Sequence, residues 1–150
     1  TGHEPAADAL EAYKAVDGEV PGDCMASRGW YRRMADAGNP QAQFALSQFY
    51  LRAGATARDP GEAARWLRRA AGQGQPDAQL NLGALYANGV GVPRDDVRAY
   101  QWLTLAGEGL SDATHRRAAS RNRAIVQARM TREQRRAAAE RLREWRAGAH

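Results

Sequence analysis

Arginine is the residue type in this sequence with the greatest capacity for ligand chemistry, and it is concentrated in residues 111–150. That segment contains 11 basic and 4 acidic side chains, whereas residues 1–110 contain 11 basic and 13 acidic ones. Guanidinium groups bind carboxylates and phosphates through paired hydrogen bonds. We therefore single out a candidate basic face, which consists of Arg116, Arg121, Arg123 and Arg135.

Three interpretations of this basic face are open. Contact with an acidic partner protein or an anionic surface fits its charge. Binding of nucleic acid fits it less well, because recognition of single strands also uses aromatic side chains that stack on bases. Trp145 is the only aromatic residue of the segment. A solvated arginine face without a ligand is the simplest interpretation.

Residues suited to metal, nucleotide or acid–base chemistry do not form a recognisable site. His3, His115 and His150 are far apart, and none has a second histidine or an acid at metal-ligand spacing on the same helix face. The segment 89–92, Gly-Val-Gly-Val, lacks the third glycine and the Lys-Ser pair of a phosphate-binding loop. Cys24, the single cysteine, cannot form an internal disulfide. We predict no cofactor, no metal site and no catalytic residue, and hence no enzymatic activity.

The elements that would position a binding site recur at a fixed interval. Trp30, Trp66 and Trp102 are 36 residues apart. Three further columns keep the same spacing: Ala6, Ala42 and Ala78; Leu10, Leu46 and Leu82; Asp23, Asp59 and Asp95. A period of this length is typical of stacked supersecondary units. The chain is therefore predicted to be a repeat protein in which the tryptophans are structural.

Each repeat is predicted to be a pair of antiparallel helices. In the second copy an apolar stripe at i, i+4 and i+8 indicates the first helix, and Asn39-Pro40 marks its start. Asp59-Pro60 marks the start of the second helix, which runs through the tryptophan to a closing glycine, Gly74. An alanine-rich hairpin buries too little apolar surface to fold alone, so the repeats are expected to stabilise one another.

Two further helices are predicted after the array, at residues 112–129 and 132–147. Thr131 and Gln134 form a capping box at the start of the second. The predicted organisation is a single repeat domain with a degenerate repeat at residues 5–39, repeats at 40–75 and 76–110, and capping helices within 111–150. No apolar run approaches the roughly 18 residues of a transmembrane helix.

The third copy carries the most specific motif of the chain. It combines Ala78, Leu82 with a small residue after it, Tyr86, the segment 89–93 (Gly-Val-Gly-Val-Pro), Asp95, Ala99, Trp102 and Ala106. This pattern resembles Sel1-like repeats, which are related to the tetratricopeptide repeat. The resemblance implies an all-α fold, a right-handed α-solenoid of antiparallel helix pairs with C-terminal capping helices. It also implies a non-catalytic adaptor that binds a partner protein or peptide in a concave groove.

In this class of fold, the exposed face of each first helix lines the groove. By helical spacing that face comprises Gln41, Phe44, Gln48 and Arg52 in the second copy, and Asp77, Leu80, Ala84 and Asn88 in the third. Amide groups there are suited to bonding the main chain of an extended peptide, and Phe44 and Leu80 to contacting its apolar side chains. Packing of Phe44 and Leu80 between repeats is an equally supported alternative.

The stretch from Met130 onward resembles the terminal helix that follows such repeats in exported bacterial proteins. A bacterial envelope, signalling or secretion pathway is therefore the expected setting, with a periplasmic or exported location. A cytoplasmic location stays open as the alternative.

Overall fold

The computed structural model describes residues 24–52 and 59–148, and within these ranges it contains helices and no strands. The helices are α1 (Cys24–Asp36), α2 (Pro40–Arg52), α3 (Pro60–Gly72), α4 (Pro76–Asn88), α5 (Asp96–Gly109), α6 (Ala113–Ala128) and α7 (Arg132–Arg146). Helices α2 and α3 form repeat two, α4 and α5 form repeat three, and α6 and α7 correspond to the predicted capping helices. The predicted first helix of repeat one, the loop at 54–58, His3 and His150 lie outside the described residues.

The helix starts confirm the predicted capping signals. Asn39, Asp59 and Asp95 each accept a hydrogen bond from the main-chain N–H three residues later, with N–O distances of 2.9, 3.1 and 3.0 Å. These bonds satisfy N–H groups that have no partner within the first helical turn. Helix α7 begins with a complete capping box between Thr131 and Gln134. The bounds of α6 and α7 agree with the predicted ones to within one residue.

The ends of α1 and α3 are closed by glycine. Gly38 and Gly74 have φ angles of 103° and 91°, which side chains with a β-carbon rarely adopt. A residue in this conformation ends a helix and lets the chain turn into the next one. The closing role predicted for Gly74 is confirmed.

The repeats share a continuous core. Consecutive helices from α1 to α6 pack against one another. The largest cluster of buried apolar residues draws from α3, α4, α5, α6 and α7, so it crosses two repeats and both C-terminal helices. A second cluster joins α1, α2 and α3 through Ala35, Leu46 and Trp66. Because apolar faces are buried between neighbouring units, each unit depends on the next for its stability.

The tryptophan column is buried throughout. Trp30, Trp66 and Trp102 are 6%, 4% and 9% exposed. Trp66 also has the guanidinium groups of Arg32 and Arg69 at 5.5 and 5.0 Å from its ring centroid, within range of a cation–π interaction. The structural role predicted for these tryptophans is confirmed.

Helices α4 and α5 approach each other closely at Gly83. A β-carbon at this position would lie 2.7 Å from Leu103 Cγ, closer than nonbonded carbons approach. Ser47 occupies the same position of repeat two and is fully buried. Ala63 and Ala99, on the second helices, are also fully buried. Small side chains therefore set the spacing of the helices in both repeats.

The Gly-Val-Gly-Val segment connects α4 to α5 and packs against the preceding repeat. Gly89 and Gly91 have φ angles of 66° and 74°, which allow the segment to reverse the chain between the two helices. A β-carbon on Gly91 would lie 2.3 Å from the carbonyl oxygen of Pro60, at the start of α3. The segment therefore also makes a close contact between repeats two and three.

Helix α7 folds back onto α5 and packs against it. Trp145 contacts Trp102 edge to face, with ring centroids 5.3 Å apart. Arg141 Nε donates a hydrogen bond of 2.8 Å to Gln101 Oε1. Helix α7 thus covers the second helix of the last repeat, as expected of a capping helix.

Candidate protein-binding surface

The predicted groove residues lie on α2 and α4, the first helices of repeats two and three. Gln41 and Asn88 are exposed, whereas Gln48 and Asp77 are partly buried. The side chain of Arg52 lies outside the described part of the structure. The three amide side chains make no hydrogen bond to any described residue, so the fold leaves them available to a ligand.

Two other glutamines, Gln43 and Gln79, each come one position before a groove residue, and the fold itself uses their side chains. Gln43 Nε2 donates to Ala35 O at 3.0 Å, and Gln79 Nε2 donates to Ala71 O at 3.3 Å. Both glutamines are buried. Each bond satisfies a carbonyl in the last turn of the preceding helix, where helical partners are lacking. Gln43 and Gln79 therefore serve the fold, whereas the amides of Gln41, Gln48 and Asn88 stay unbonded.

Phe44 and Leu80 are partly buried. Phe44 packs against the cluster shared by α3 to α7. Leu80 packs against Ala106, Leu110 and Ala119, and so reaches from repeat three to α6. Both residues thus pack against other helices of the fold. Because each keeps a partly exposed surface, contact with a bound peptide stays a prediction.

Helix α6 extends this surface beyond α4. His115 Nδ1 lies 3.1 Å from Asp112 Oδ2 and 4.0 Å from Asp77 Oδ1. The expectation that no acid lies near His115 at ligand spacing is wrong, because Asp112, three positions earlier, and Asp77, from the preceding repeat, both approach it. All three side chains are about half exposed. In residues 24–52 and 59–148, no group of three or more His, Cys, Asp or Glu side chains could hold a metal ion.

The residues of the predicted basic face have different surroundings. Arg116 and Arg121 are exposed on α6, Arg123 is partly buried, and Arg135 is exposed on α7. Arg121 and Arg123 are two positions apart, so they project from different sides of the helix. The Arg135 guanidinium donates to Gln127 O at 2.9 Å. The structure therefore does not bring these four side chains into one stripe.

Arg129 bonds to two separate parts of the fold, and no pattern in the sequence singles it out. Its guanidinium reaches Asp96 Oδ1 at 2.8 Å and also donates to Ala87 O. Arg94 donates to the same carboxylate at 3.1 Å. Burial alone would raise the pKa of Asp96, but hydrogen bonds from Arg94 and Arg129 outweigh it and lower the pKa. One sequence feature could have indicated this cluster, namely the second acid of Asp95-Asp96. A helix start needs only one capping side chain, so the other carboxylate is left for a different partner.

Comparison with known proteins places this architecture in a family. A family model described as Sel1 repeat matches residues 16–39, 40–75 and 76–109, which together make up more than half of the chain. The chain belongs to the Sel1 repeat family. Its three matched Sel1 repeats contain Trp30, Trp66 and Trp102 in turn. No protein of curated function matches the sequence significantly.

Two solved structures resemble this Sel1 repeat chain. One is c5321, a protective antigen present in uropathogenic Escherichia coli strains that displays an SLR fold. The two sequences are 28% identical, the TM-score is 0.73, and the match covers 93% of this chain and 29% of that chain. The other is a Sel1 repeat protein from Oxalobacter formigenes, with 30% identity, a TM-score of 0.59, and 71% of this chain and 44% of that chain covered. The chain thus spans less than half the length of either protein.

These similarities confirm the predicted fold class, an all-α solenoid of antiparallel helix pairs. Sel1 repeat proteins are generally protein-interaction modules, and proteins of this fold are typically non-catalytic scaffolds. Among the described residues, no helix has the length and apolar character needed to span a membrane.

Proposed function

We propose that this chain is a non-catalytic adaptor that binds a partner protein or an extended peptide along the exposed faces of α2 and α4. The observation that carries the proposal is the set of unbonded amides on these helices, Gln41, Gln48 and Asn88, beside the partly exposed Phe44 and Leu80. Amides bond the main chain of an extended peptide, and the apolar pair contacts its side chains.

The scaffold favours binding because it holds these side chains on helices that are already ordered. Association costs conformational entropy for every group that becomes fixed, and a preformed surface loses little of it. The core shared by α3 to α7 holds α4 in place, and a second cluster, in which Leu46 packs with Ala35 and Trp66, holds α2. Affinity would then rest on a few apolar contacts surrounded by polar ones.

The test is affinity capture of the partner with a variant that leaves the core intact. Gln41→Ala combined with Gln48→Ala removes two unbonded amides, and it should weaken capture while the helical circular dichroism stays unchanged. Phe44→Ala added to this variant should weaken capture further. The matched control is Arg65→Ala with Arg68→Ala, two exposed positions of α3. Capture that survives all the groove substitutions would refute the assignment.

We further propose that the adaptor acts in a bacterial envelope, signalling or secretion pathway and is periplasmic or exported. The similarity to a protective antigen of uropathogenic Escherichia coli supports this setting. The proposed location is tested by fractionating cells of the organism that encodes the protein and detecting the chain with an antibody. Recovery with periplasmic or secreted markers is the expected result, and recovery with cytoplasmic markers alone would contradict it.

A further inference from the structure

The outward side of α6 carries a second surface, separate from the exposed faces of α2 and α4. Ala119 and Val126 are fully buried, so the opposite side of the helix faces solvent. Positions at i, i+4 and i+8 on that side fall on one line. We call this surface the α6 stripe, and it consists of Arg117, Arg121, Ala124, Ile125 and Ala128, all exposed.

The positive charge of the α6 stripe is not neutralised by the fold. Helix α6 contains four arginines and no acidic residue. No described carboxylate lies within ion-pair distance of Arg117 or Arg121, whereas Arg129, Arg143 and Arg146 each pair with one. Like charges four positions apart on a helix repel each other. Carboxylates supplied by a partner would relieve this repulsion.

Ile125 adds an apolar contact point to the stripe. It is the one large hydrophobic side chain exposed among the described residues, with 56% of its surface accessible. Ala124 and Ala128 lie beside it, and their small side chains allow a partner helix to approach closely. Protein interfaces characteristically place an apolar anchor within a polar rim.

We propose that the α6 stripe binds an acidic helical segment of a partner protein. One apolar side chain of that segment packs on Ile125, and two of its carboxylates pair with Arg121 and Arg117. Charge complementarity of this kind also speeds association and selects against basic partners.

Other anionic occupants match the stripe less well. Single-stranded nucleic acid calls for exposed aromatic side chains, but α6 has none, and the ring of Trp145 packs against Trp102. A membrane-binding helix needs a broad apolar face, whereas the apolar residues Ala119 and Val126 of α6 are buried in the fold. A second copy of the chain, docked symmetrically, would bring two positive stripes together.

The experiment is an amide NMR titration of the intact protein at low salt. The probe is an alanine-based helical peptide of 16 residues, the length of α6, with one leucine and two glutamates spaced four residues apart. Amide shifts should concentrate between residues 117 and 128. Arg117→Gln with Arg121→Gln should weaken binding about tenfold, and Ile125→Ser about threefold. The matched control, Arg132→Gln with Arg136→Gln, removes the same charge from exposed positions of α7 and should change binding less than about twofold.

Each of the following results would overturn the proposal. One is a peptide that fails to shift the α6 amides. Another is equal binding by a peptide in which glutamine replaces both glutamates. The control pair weakens binding as much as the stripe pair, which would show only attraction by net charge. Tighter binding to the stripe by a thymidine oligonucleotide, or by vesicles of phosphatidylcholine and phosphatidylserine, than by the peptide would also overturn it. The stripe amides shift with protein concentration alone, which would identify a second copy as the occupant.

Discussion

Asp96 has the largest number of side-chain hydrogen bonds among the described carboxylates, and it shows how one residue can join two parts of the stack. Its side chain is 5% exposed and bonds to Arg94 and Arg129. Arg129 comes from the connection between α6 and α7 and also bonds to the end of α4 through Ala87 O. The cluster therefore links repeat three to the C-terminal helices.

Asp96→Asn should lower the free energy of unfolding by about 1–3 kcal/mol at neutral pH, because two guanidinium groups lose their charged acceptor. The folded-state pKa of Asp96 is lowered, so its contribution is present above the ordinary pKa of an aspartate and is lost as pH falls through the folded value. Urea unfolding measured from pH 7 downward should show the two proteins converging in strong acid. A difference that stays constant with pH would contradict the assigned ion pair.

Residue-level predictions from the sequence succeeded where the interaction is local. Asn39, Asp59 and Asp95 cap helices through bonds spanning three residues, and such spacings are visible in a sequence. Arg129 and Asp96 are 33 residues apart, and no local rule pairs them. The Asp77 and His115 contact was missed for the same reason.

At the scale of elements, the spacing of α4 and α5 depends on the absence of a side chain at Gly83. Gly83→Ala should lower the free energy of unfolding by about 1–2 kcal/mol, because the strain of overpacking against Leu103 exceeds the gain in helix propensity. Gly107→Ala is the matched control, since its new β-carbon would meet only Ala119 at 4.0 Å. It should raise the free energy of unfolding by up to about 1 kcal/mol. Denaturant unfolding measures both, and equal effects of the same sign would rule out close helix contact at Gly83.

The helix bounds were predictable because capping residues, prolines and glycines mark helix starts and ends in the sequence. Which helices pack against each other was less predictable. The position of α7 against α5 depends on Trp145 meeting Trp102 and on Arg141 bonding to Gln101, which are contacts between distant parts of the chain. The close contact between Gly91 and Pro60 was also not predictable, because a turn is by itself a sufficient reason for a glycine at that position.

At the scale of the whole molecule, the stack is held together by interfaces between neighbours, so a local loss of stability should spread in a graded way. Leu142 is buried in α7 and belongs to the cluster shared by α3 to α7. Leu142→Ala should cost about 2–4 kcal/mol in its neighbourhood. Hydrogen exchange should show the largest loss of protection in α7 and α5, and the smallest in α1. Uniform loss across all helices, or loss confined to α7, would contradict nearest-neighbour coupling.

The repeat period predicted the architecture of the molecule, because identical columns require identical environments along a stack. The groove faces of α2 and α4 were assigned from helical spacing and the resemblance to Sel1-like repeats, and that assignment stays a prediction. The period alone could not determine how far Phe44 and Leu80 are buried, since both belong to the boundary between core and surface. It also gave no information on the C-terminal charges, where the repeat pattern has ended.

Site-specific photo-crosslinking tests the central claim most directly, namely that the partner lies along the first helices. A photoreactive residue is introduced at Gln41 or Asn88, both exposed on that face, and at Arg68, exposed on α3. After irradiation in the organism that encodes the protein, adducts of one defined mass should form at Gln41 and Asn88 and be absent at Arg68. Adducts at Arg68 without any at Gln41 or Asn88 would contradict the account.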